Sequence, residues 1–150
     1  MKNILIAATI ALAATAASAV DVGVTVGRDY ADTNRNVAGV TVGQKLANDV
    51  VVTAGYERTN AGEDQNRYSA TAGFELARLG QVAFSPKVGV AYLDNSKSGD
   101  GYAMTVGFGA ELPLTPALSL TADISRQFGQ DRVEQFNGNR FTTGLKYSFR

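Results

Sequence analysis

Eight segments of about ten residues, in which apolar and polar side chains alternate, make up most of the sequence. A period of two is typical of a β-strand with two unlike faces, whereas an amphipathic helix repeats every 3.6 residues. The first segment places Val22, Val24 and Val26 on one face and Gly23 and Thr25 on the other. The alternation therefore predicts an all-β fold. The segments are residues 20–30, 37–46, 49–58, 67–77, 82–93, 102–112, 117–128 and 140–149.

Residues 1–19 differ from everything that follows. Lys2 precedes an uncharged stretch rich in Ala, Ile and Leu, and Ala17-Ser18-Ala19 fits the small-x-small pattern of a signal peptidase site. The stretch is short for a membrane-spanning helix of ~20 residues. We expect residues 1–19 to be a cleaved signal peptide and residues 20–150 to form one β-barrel domain.

The connections between the segments alternate in length. Those near residues 47–48, 79–80 and 114–115 are tight, whereas residues 31–36, 59–66, 94–101 and 129–139 form longer polar links. Short turns on one side and longer loops on the other, with strands of ~9–11 residues, are typical of barrels that cross a membrane. The prediction is an eight-stranded antiparallel up-and-down transmembrane β-barrel.

Three features indicate that the apolar face points outward, toward lipid. Aromatic residues lie near the segment ends, as in the two aromatic girdles of a membrane barrel. Ten of the 16 glycines lie on the polar face, where a narrow lumen would need small side chains. The cations of the apolar face, Arg28, Arg58 and Arg126, fall near the long-loop ends, where charge costs least. A soluble periplasmic lipid-binding barrel, with the apolar face inward, is the alternative.

The polar face carries acidic and basic residues in nearly equal number, and buried charges are costly unless they are paired. We expect an ion-paired lumen that fills the barrel, with a narrow channel as the alternative. Asp123 stands where a repeated Thr-x-Gly pattern predicts glycine, so it is either part of an ion pair or a gate. The predicted lumen network comprises Asp21, Lys45, Glu57, Arg67, Glu75, Lys87, Glu111, Asp123, Arg140 and Lys146.

Other positions carry narrower expectations. Pro86 has no N–H to donate to a ladder, so we expect a bulge or an unpaired site beside it. Val133 and Phe136, in the longest link, are expected to be exposed and could contact a partner. Arg28, Arg58 and Arg126 are candidate contacts for lipopolysaccharide phosphates, because guanidinium groups bind phosphate in a bidentate manner. Solvated rim charges are the alternative.

Composition removes several classes of function. The chain has no histidine and no cysteine, which excludes Ser-His-Asp hydrolases, thiol nucleophiles and thiolate metal sites. A formal net charge of zero argues against a nucleic-acid partner. We expect no catalytic, metal or cofactor site.

The last segment ends Gly144-Leu145-Lys146-Tyr147-Ser148-Phe149 and resembles the C-terminal β-signal of outer-membrane proteins, with Gly144, Tyr147 and Phe149 at the motif positions. With the leader and the eight segments, the chain resembles the small OmpA/OmpX-type outer-membrane barrels. The resemblance implies the outer membrane of a Gram-negative bacterium as location. It also implies the barrel assembly machinery and outer-membrane lipid as partners.

The resemblance bears on function as well. The known enzymes among outer-membrane barrels use a catalytic histidine, which this chain lacks. The expected role is therefore non-enzymatic: structural support of the membrane, adhesion or membrane integrity. A narrow porin-like channel for small solutes or ions is the alternative.

Overall fold

The computed structural model describes residues 19–31, 34–46, 49–61, 63–95, 99–129, 133–134 and 137–149. The predicted signal peptide lies outside the described residues, apart from Ala19. No helix in these ranges is long and apolar enough to span a membrane.

Nine strand segments form one sheet, and the fourth and fifth of them are parts of the same long strand. Neighbouring strands are antiparallel, and the ring is closed by pairing of β1 with β9 and of β4 with β6. The fold is thus a closed eight-stranded up-and-down barrel, as predicted. Its strands are β1 (Val20–Tyr30), β2 (Asn34–Lys45), β3 (Val50–Ala61), β4 (Glu63–Phe74), β5 (Ala77–Leu79), β6 (Val82–Asn95), β7 (Gly101–Pro113), β8 (Leu118–Gly129) and β9 (Gly138–Phe149).

The stagger of the strands sets the tilt of the barrel. A ladder of paired residues that leaves β1 at Val20 passes through every strand and returns to β1 at Tyr30, ten residues further along. Eight strands with such a stagger tilt by roughly 40° from the barrel axis and enclose a lumen just wide enough for side chains. Residues at different positions along their strands can therefore lie at one height.

The apolar side chains of the alternating pattern point out of the barrel, and the polar side chains point into the lumen. On β7, Met104 is 64% exposed whereas its neighbour Thr105 is 5% exposed. Val24, Val88 and Ile124 are also more than half exposed, and Glu57, Arg67 and Arg140 are buried. The predicted direction of the faces is confirmed. The apolar interior expected in the soluble-barrel alternative is wrong.

Glycine on the lumen face allows close approach of the strands. A Cβ atom on Gly27 would lie 2.1 Å from the carbonyl oxygen of Phe141, and one on Gly144 would lie 2.2 Å from that of Val24. Real Cβ atoms do not approach so closely, so the backbone at these two positions could not stay where it is with any larger residue.

The fourth strand is interrupted by a bulge opposite Pro86. Pairing of β4 with β6 ends at Gly73 and Lys87, and pairing of β5 with β6 begins at Ala77 and Phe84, which leaves one extra residue on the fourth strand. The bulge expected beside Pro86 is confirmed. Beyond it the alternation is shifted by one residue, so sequence parity no longer identifies the lumen face.

Candidate functional site in the barrel lumen

The long-loop end of the lumen holds five charged side chains, here called the guanidinium cluster: Asp29, Arg35, Glu57, Arg67 and Arg140. The strand register places them side by side, because Asp29 lies opposite both Arg35 and Arg140, and Glu57 lies opposite Arg67. All five are at most 8% exposed. Charges of opposite sign therefore alternate around the barrel wall.

Glu57 is the shared acceptor of this cluster. Its Oε2 atom lies 2.5 Å from Nη1 of Arg67 and 2.8 Å from Nη2 of Arg140. Arg140 is on β9 and Glu57 is on β3, three strands away around the barrel, so this ion pair crosses the lumen. Arg35 donates a longer hydrogen bond of 3.4 Å to the side-chain oxygen of Gln65. The cluster thus closes the barrel at this level with buried, charge-assisted contacts.

The remaining lumen charges form a second group nearer the short turns, here called the lysine cluster: Asp21, Lys87, Glu111, Asp123 and Lys146. Lys146 Nζ lies 2.5 Å from Glu111 Oε2 and 3.3 Å from Asp21 Oδ2. Lys87 forms an ion pair with Asp123 two strands away. Side-chain exposure here is 15% to 38%, well above that of the guanidinium cluster.

Asp123 has a clear structural partner. Its carboxylate binds Lys87, and Gly109 on the adjacent strand leaves the room for both side chains. A Cβ atom on residue 109 would lie 2.6 Å from Asp123 Oδ1. The acid that interrupts the Thr-x-Gly pattern therefore occupies space that a neighbouring glycine provides.

Two predicted members of the lumen network lie elsewhere. Glu75 falls in the bulge, is exposed, and forms two hydrogen bonds with Arg78. Lys45 is at the end of β2, where its exposed ammonium group lies 2.6 Å from Asp49. Their placement in the network is wrong, because the bulge shifts the alternation at Glu75 and because β2 ends at Lys45.

Arg35 and Gln65 are lumen residues that the sequence reasoning missed. Both are buried, yet they precede the segments at 37–46 and 67–77. Extending the same alternation by one step at the start of each segment would have found them. The strands are longer than the apolar pattern because their long-loop ends carry polar residues on both faces.

The expectation that Val133 is exposed is also wrong. Val133 is fully buried against Ala91, Leu93 and Ala103, which form an apolar patch on the lumen side near the long loops. Gly101 and Gly129 permit this approach, since a Cβ atom on either would lie within 2.9 Å of Val133. Phe136 lies outside the described residues.

The described lumen residues line two cavities. The cavity nearer the short turns has a volume of about 140 Å³ and is lined by the lysine cluster together with glycine and threonine. The second, here called the mid-lumen cavity, has a volume of about 120 Å³ and lies between the two clusters. Four threonines line both cavities: Thr25, Thr41, Thr53 and Thr71. The lumen is therefore narrow, hydroxyl-lined and interrupted by ion pairs.

The outer rim at the long-loop end carries a group of tyrosines and a group of arginines. On β3, β4, β6 and β7 four tyrosines lie on one ladder, with ring centroids 5.2 to 6.5 Å apart: Tyr56, Tyr68, Tyr92 and Tyr102. The exposed Arg28, Arg58 and Arg126 are on β1, β3 and β8, and the stagger brings them to nearly one height. Arg28 donates to Asn36, and Arg126 lies over the ring of Phe128.

The three residues of the predicted β-signal lie on β9, which pairs with β1 and closes the barrel. Tyr147 and Phe149 are exposed on the outer face, with ring centroids 4.8 Å apart. Gly144 faces the lumen at the close approach to Val24. The motif residues thus occupy the strand whose pairing completes the ring.

The acidic residues of the lumen are arranged for ion pairing. Within the described ranges, the acidic residues form no group of three that could hold a metal ion. Within the two clusters, the carboxylates of Asp21, Glu57, Glu111 and Asp123 form ion pairs with arginine or lysine. The arrangement stabilises a filled barrel.

No protein-family model matches the sequence, and no curated protein matches it. The fold and lumen nevertheless define a class, that of small closed β-barrels with an apolar exterior. The N-terminal β-barrel domain of OprF from Pseudomonas aeruginosa is similar, with a TM-score of 0.73 and 18% identity over 88% of this chain and 98% of that one.

Two further solved structures have the same fold. Neisserial surface protein A aligns with a TM-score of 0.62 and 14% identity over 87% of this chain and 96% of that one. The outer-membrane protein Ail of Yersinia pestis, in a phospholipid nanodisc, aligns with a TM-score of 0.57 and 16% identity over 88% and 99%. The fold is that of the small eight-stranded OmpA/OmpX-type outer-membrane barrels.

Proposed function

We propose that the protein is a non-enzymatic integral barrel of the outer membrane of a Gram-negative bacterium, exported by its signal peptide. Its role is structural or interactive, in membrane integrity or adhesion. The observation that carries the proposal is the apolar outer face around an ion-paired lumen. Apolar side chains at mid-height, such as Val40, Val88 and Ile124, are more than half exposed, which is unfavourable in water and favourable in lipid.

Fractionation tests the location. We expect the protein in the outer-membrane fraction, migrating at a different position on gels when unheated because the barrel stays folded in detergent. Recovery from the soluble periplasm would refute the proposal.

A matched pair of substitutions tests the orientation of the faces. Val40→Arg puts a cation on the lipid face near mid-height, at a cost of about 2–4 kcal/mol. Thr41→Arg puts the same side chain beside the two lumen cavities, where it costs less. We expect Val40→Arg to reduce the fraction of folded barrel strongly on unheated gels. Equal reduction by the two variants would contradict the proposed membrane face.

The arginines of the rim support a lipid partner. We propose that Arg28, Arg58 and Arg126 contact lipopolysaccharide phosphates, because three exposed guanidinium groups lie at one height near the long loops. Replacing all three by glutamine should weaken binding of the refolded barrel to lipopolysaccharide vesicles at low salt. Replacing Lys45, at the other rim, should leave it unchanged. If the Lys45 variant loses as much binding to the vesicles, the attraction depends on the net charge of the protein and not on these three arginines.

Assembly is the remaining part of the proposal. The barrel assembly machinery would recognise β9 through Gly144, Tyr147 and Phe149, since an unpaired strand edge can bind by β-augmentation. Replacing Tyr147 and Phe149 together by alanine should lower the amount of folded protein in cells, while refolding from urea into detergent proceeds. If the amount of folded protein in cells and the yield of refolding into detergent fall equally, the two rings contribute to stability only.

A narrow channel is the second candidate, favoured by the two lumen cavities. The ion pairs that cross the lumen argue that the resting barrel is closed. Single-channel recording in planar bilayers decides between the two: steady conductance favours the channel, and silence favours the closed barrel.

A further inference from the structure

The mid-lumen cavity is surrounded by more positive than negative charge. Arg67 and Arg140 line it from the long-loop side, and Lys87 lines it from the short-turn side. The carboxylates of Glu57 and Asp123 also line it. Three cations therefore face two carboxylates around a cavity of about 120 Å³, which leaves one positive charge in excess.

The pairing of these groups shows where the excess lies. Lys87 and Asp123 pair with each other, so they cancel locally. Arg67 and Arg140 instead share a single oxygen of Glu57, at 2.5 and 2.8 Å. Asp29, the other carboxylate at this end, lies opposite both Arg35 and Arg140. The long-loop side therefore holds three guanidinium groups and two carboxylates, and the excess positive charge lies there.

Donors without acceptors lie at the long-loop end of the lumen, and one of them, on Arg67, belongs to a residue that lines the mid-lumen cavity. The Nε–H group of Arg67 is buried and has no hydrogen-bond acceptor among the described residues, and neither has the side-chain nitrogen of the neighbouring Gln65. Arg67 and Gln65 are 7% and 2% exposed. Buried polar groups are almost always satisfied in folded proteins, so an orphaned guanidinium donor beside a cavity points to an unmet acceptor.

We propose that the mid-lumen cavity binds a small inorganic anion, held by Arg67 and Arg140. An anion supplies both the acceptor and the negative charge that this side of the cavity lacks. The volume suits a halide ion with a few waters, since a water needs only about 10–15 Å³ of comparable space. Binding does not require conduction, so this inference stands apart from the role proposed above.

Bromide is the probe for the test. The refolded, ¹⁵N-labelled protein in detergent micelles is titrated with sodium bromide in place of sodium gluconate at constant ionic strength, because gluconate is a much bulkier anion than a halide. We expect the Arg67 Nε–H resonance to shift and saturate in bromide. A linear shift, or none, would overturn the proposal in favour of water alone.

Two variants with the same loss of charge locate the site. Arg67→Gln removes a lining guanidinium, and we expect it to weaken bromide binding at least about tenfold, read from the arginine Nε–H resonance of Arg140. Lys146→Gln removes a cation that lines only the cavity near the short turns, and we expect a change within about twofold. Equal weakening by both variants would show a diffuse charge effect and contradict the site.

A measurement on the unaltered protein covers the case in which Arg67→Gln does not fold. Crystals of the wild-type barrel grown in sodium bromide should show an anomalous peak between Arg67 and Arg140. A bromide-free cavity in such crystals would overturn the proposal.

Discussion

The two ends of the lumen carry equal numbers of charged residues but are built differently. In the guanidinium cluster, Arg67, Arg140 and Glu57 have side chains that are 4% to 8% exposed. In the lysine cluster the corresponding range is 15% to 38%. Arginine has five donors in a rigid fork and can bridge several acceptors, whereas lysine carries a compact charge that stays well hydrated. The charged side chains at the long-loop end are therefore withdrawn from water, and those at the short-turn end remain partly accessible to it.

The packing of the barrel walls follows the same division. Near the long loops Val133 fills the space beside Leu93 and Ala103, whereas a cavity of about 140 Å³ remains near the short turns. An equal number of charged residues thus gives unequal stabilisation, because the free energy of an ion pair depends on how completely its partners leave water. Three paired substitutions test this difference, each with one member at either end of the barrel, and a single substitution at the short-turn rim follows them.

Removal of a carboxylate should give the largest difference. Glu57→Gln leaves two buried guanidinium groups with only Asp29, opposite Arg140, as a nearby counter-charge, and we expect a loss of about 3–5 kcal/mol in the free energy of unfolding. Glu111→Gln removes a carboxylate that is 37% exposed while Lys146 keeps Asp21, so about 0–1 kcal/mol is expected. Urea unfolding of both variants in micelles measures the two values. Similar losses would mean that the two clusters are equally solvated.

Added methyl groups probe how tightly each end is packed. Gly27→Ala forces a Cβ atom against the carbonyl oxygen of Phe141, and we expect a loss of about 2 kcal/mol from overpacking. Gly43→Ala, nearer the short turns, meets its nearest atom only at 3.2 Å, and we expect a change close to zero. The urea midpoints of the two variants give the comparison. If Gly43→Ala destabilises as strongly, the short-turn end is as closely packed as the other.

Truncation of Val133 tests the apolar patch at the long-loop end. Val133→Ala removes two buried methyl groups, worth about 1.5 kcal/mol of stability. Leu114→Ala, in the exposed β7–β8 turn, should change stability by less than about 0.5 kcal/mol. Thermal unfolding monitored by unheated gel migration compares the two variants. A neutral Val133→Ala would show that this residue does not pack in solution as it does here.

The ion pair at the short-turn rim should give the smallest effect. The hydrogen bond from Arg78 holds the pKa of Glu75 below its ordinary value of 4.5. A carboxyl group whose pKa is lowered by folding stabilises the fold above its unfolded pKa, and that contribution disappears as the pH falls through the folded value. We expect Arg78→Gln to raise the Glu75 pKa toward 4.5 in a carboxyl ¹³C titration. An unchanged pKa would show that the pair does not form.

Most of the charged residues of the lumen could be predicted from the alternation of the sequence alone. Asp21, Glu57, Arg67, Lys87, Glu111, Asp123, Arg140 and Lys146 lie on the lumen face, as the alternation indicates. The alternation no longer predicts which residues face the lumen where a bulge interrupts the period of two. The bulge opposite Pro86 removes Glu75 from the lumen, and the proline was the signal that the pairing changes there.

Pairing could not be predicted in the same way. Arg140 meets Glu57 from three strands away, and Lys87 meets Asp123 from two strands away. Such contacts depend on the stagger between strands, which cannot be predicted from the sequence of a single strand. Val133 is a similar case, because its burial depends on where a loop folds relative to Gly101 and Gly129.

The sequence by itself determined the strands, their number and, away from the bulge, the side that carries each residue, because a period of two is a local property of an extended backbone. Only the tertiary structure decided the ten-residue stagger, the division of the lumen charges into a buried and a partly exposed cluster, and the partners of each charge. Those features arise when the sheet closes on itself, since closure fixes which residues of distant strands reach the same height.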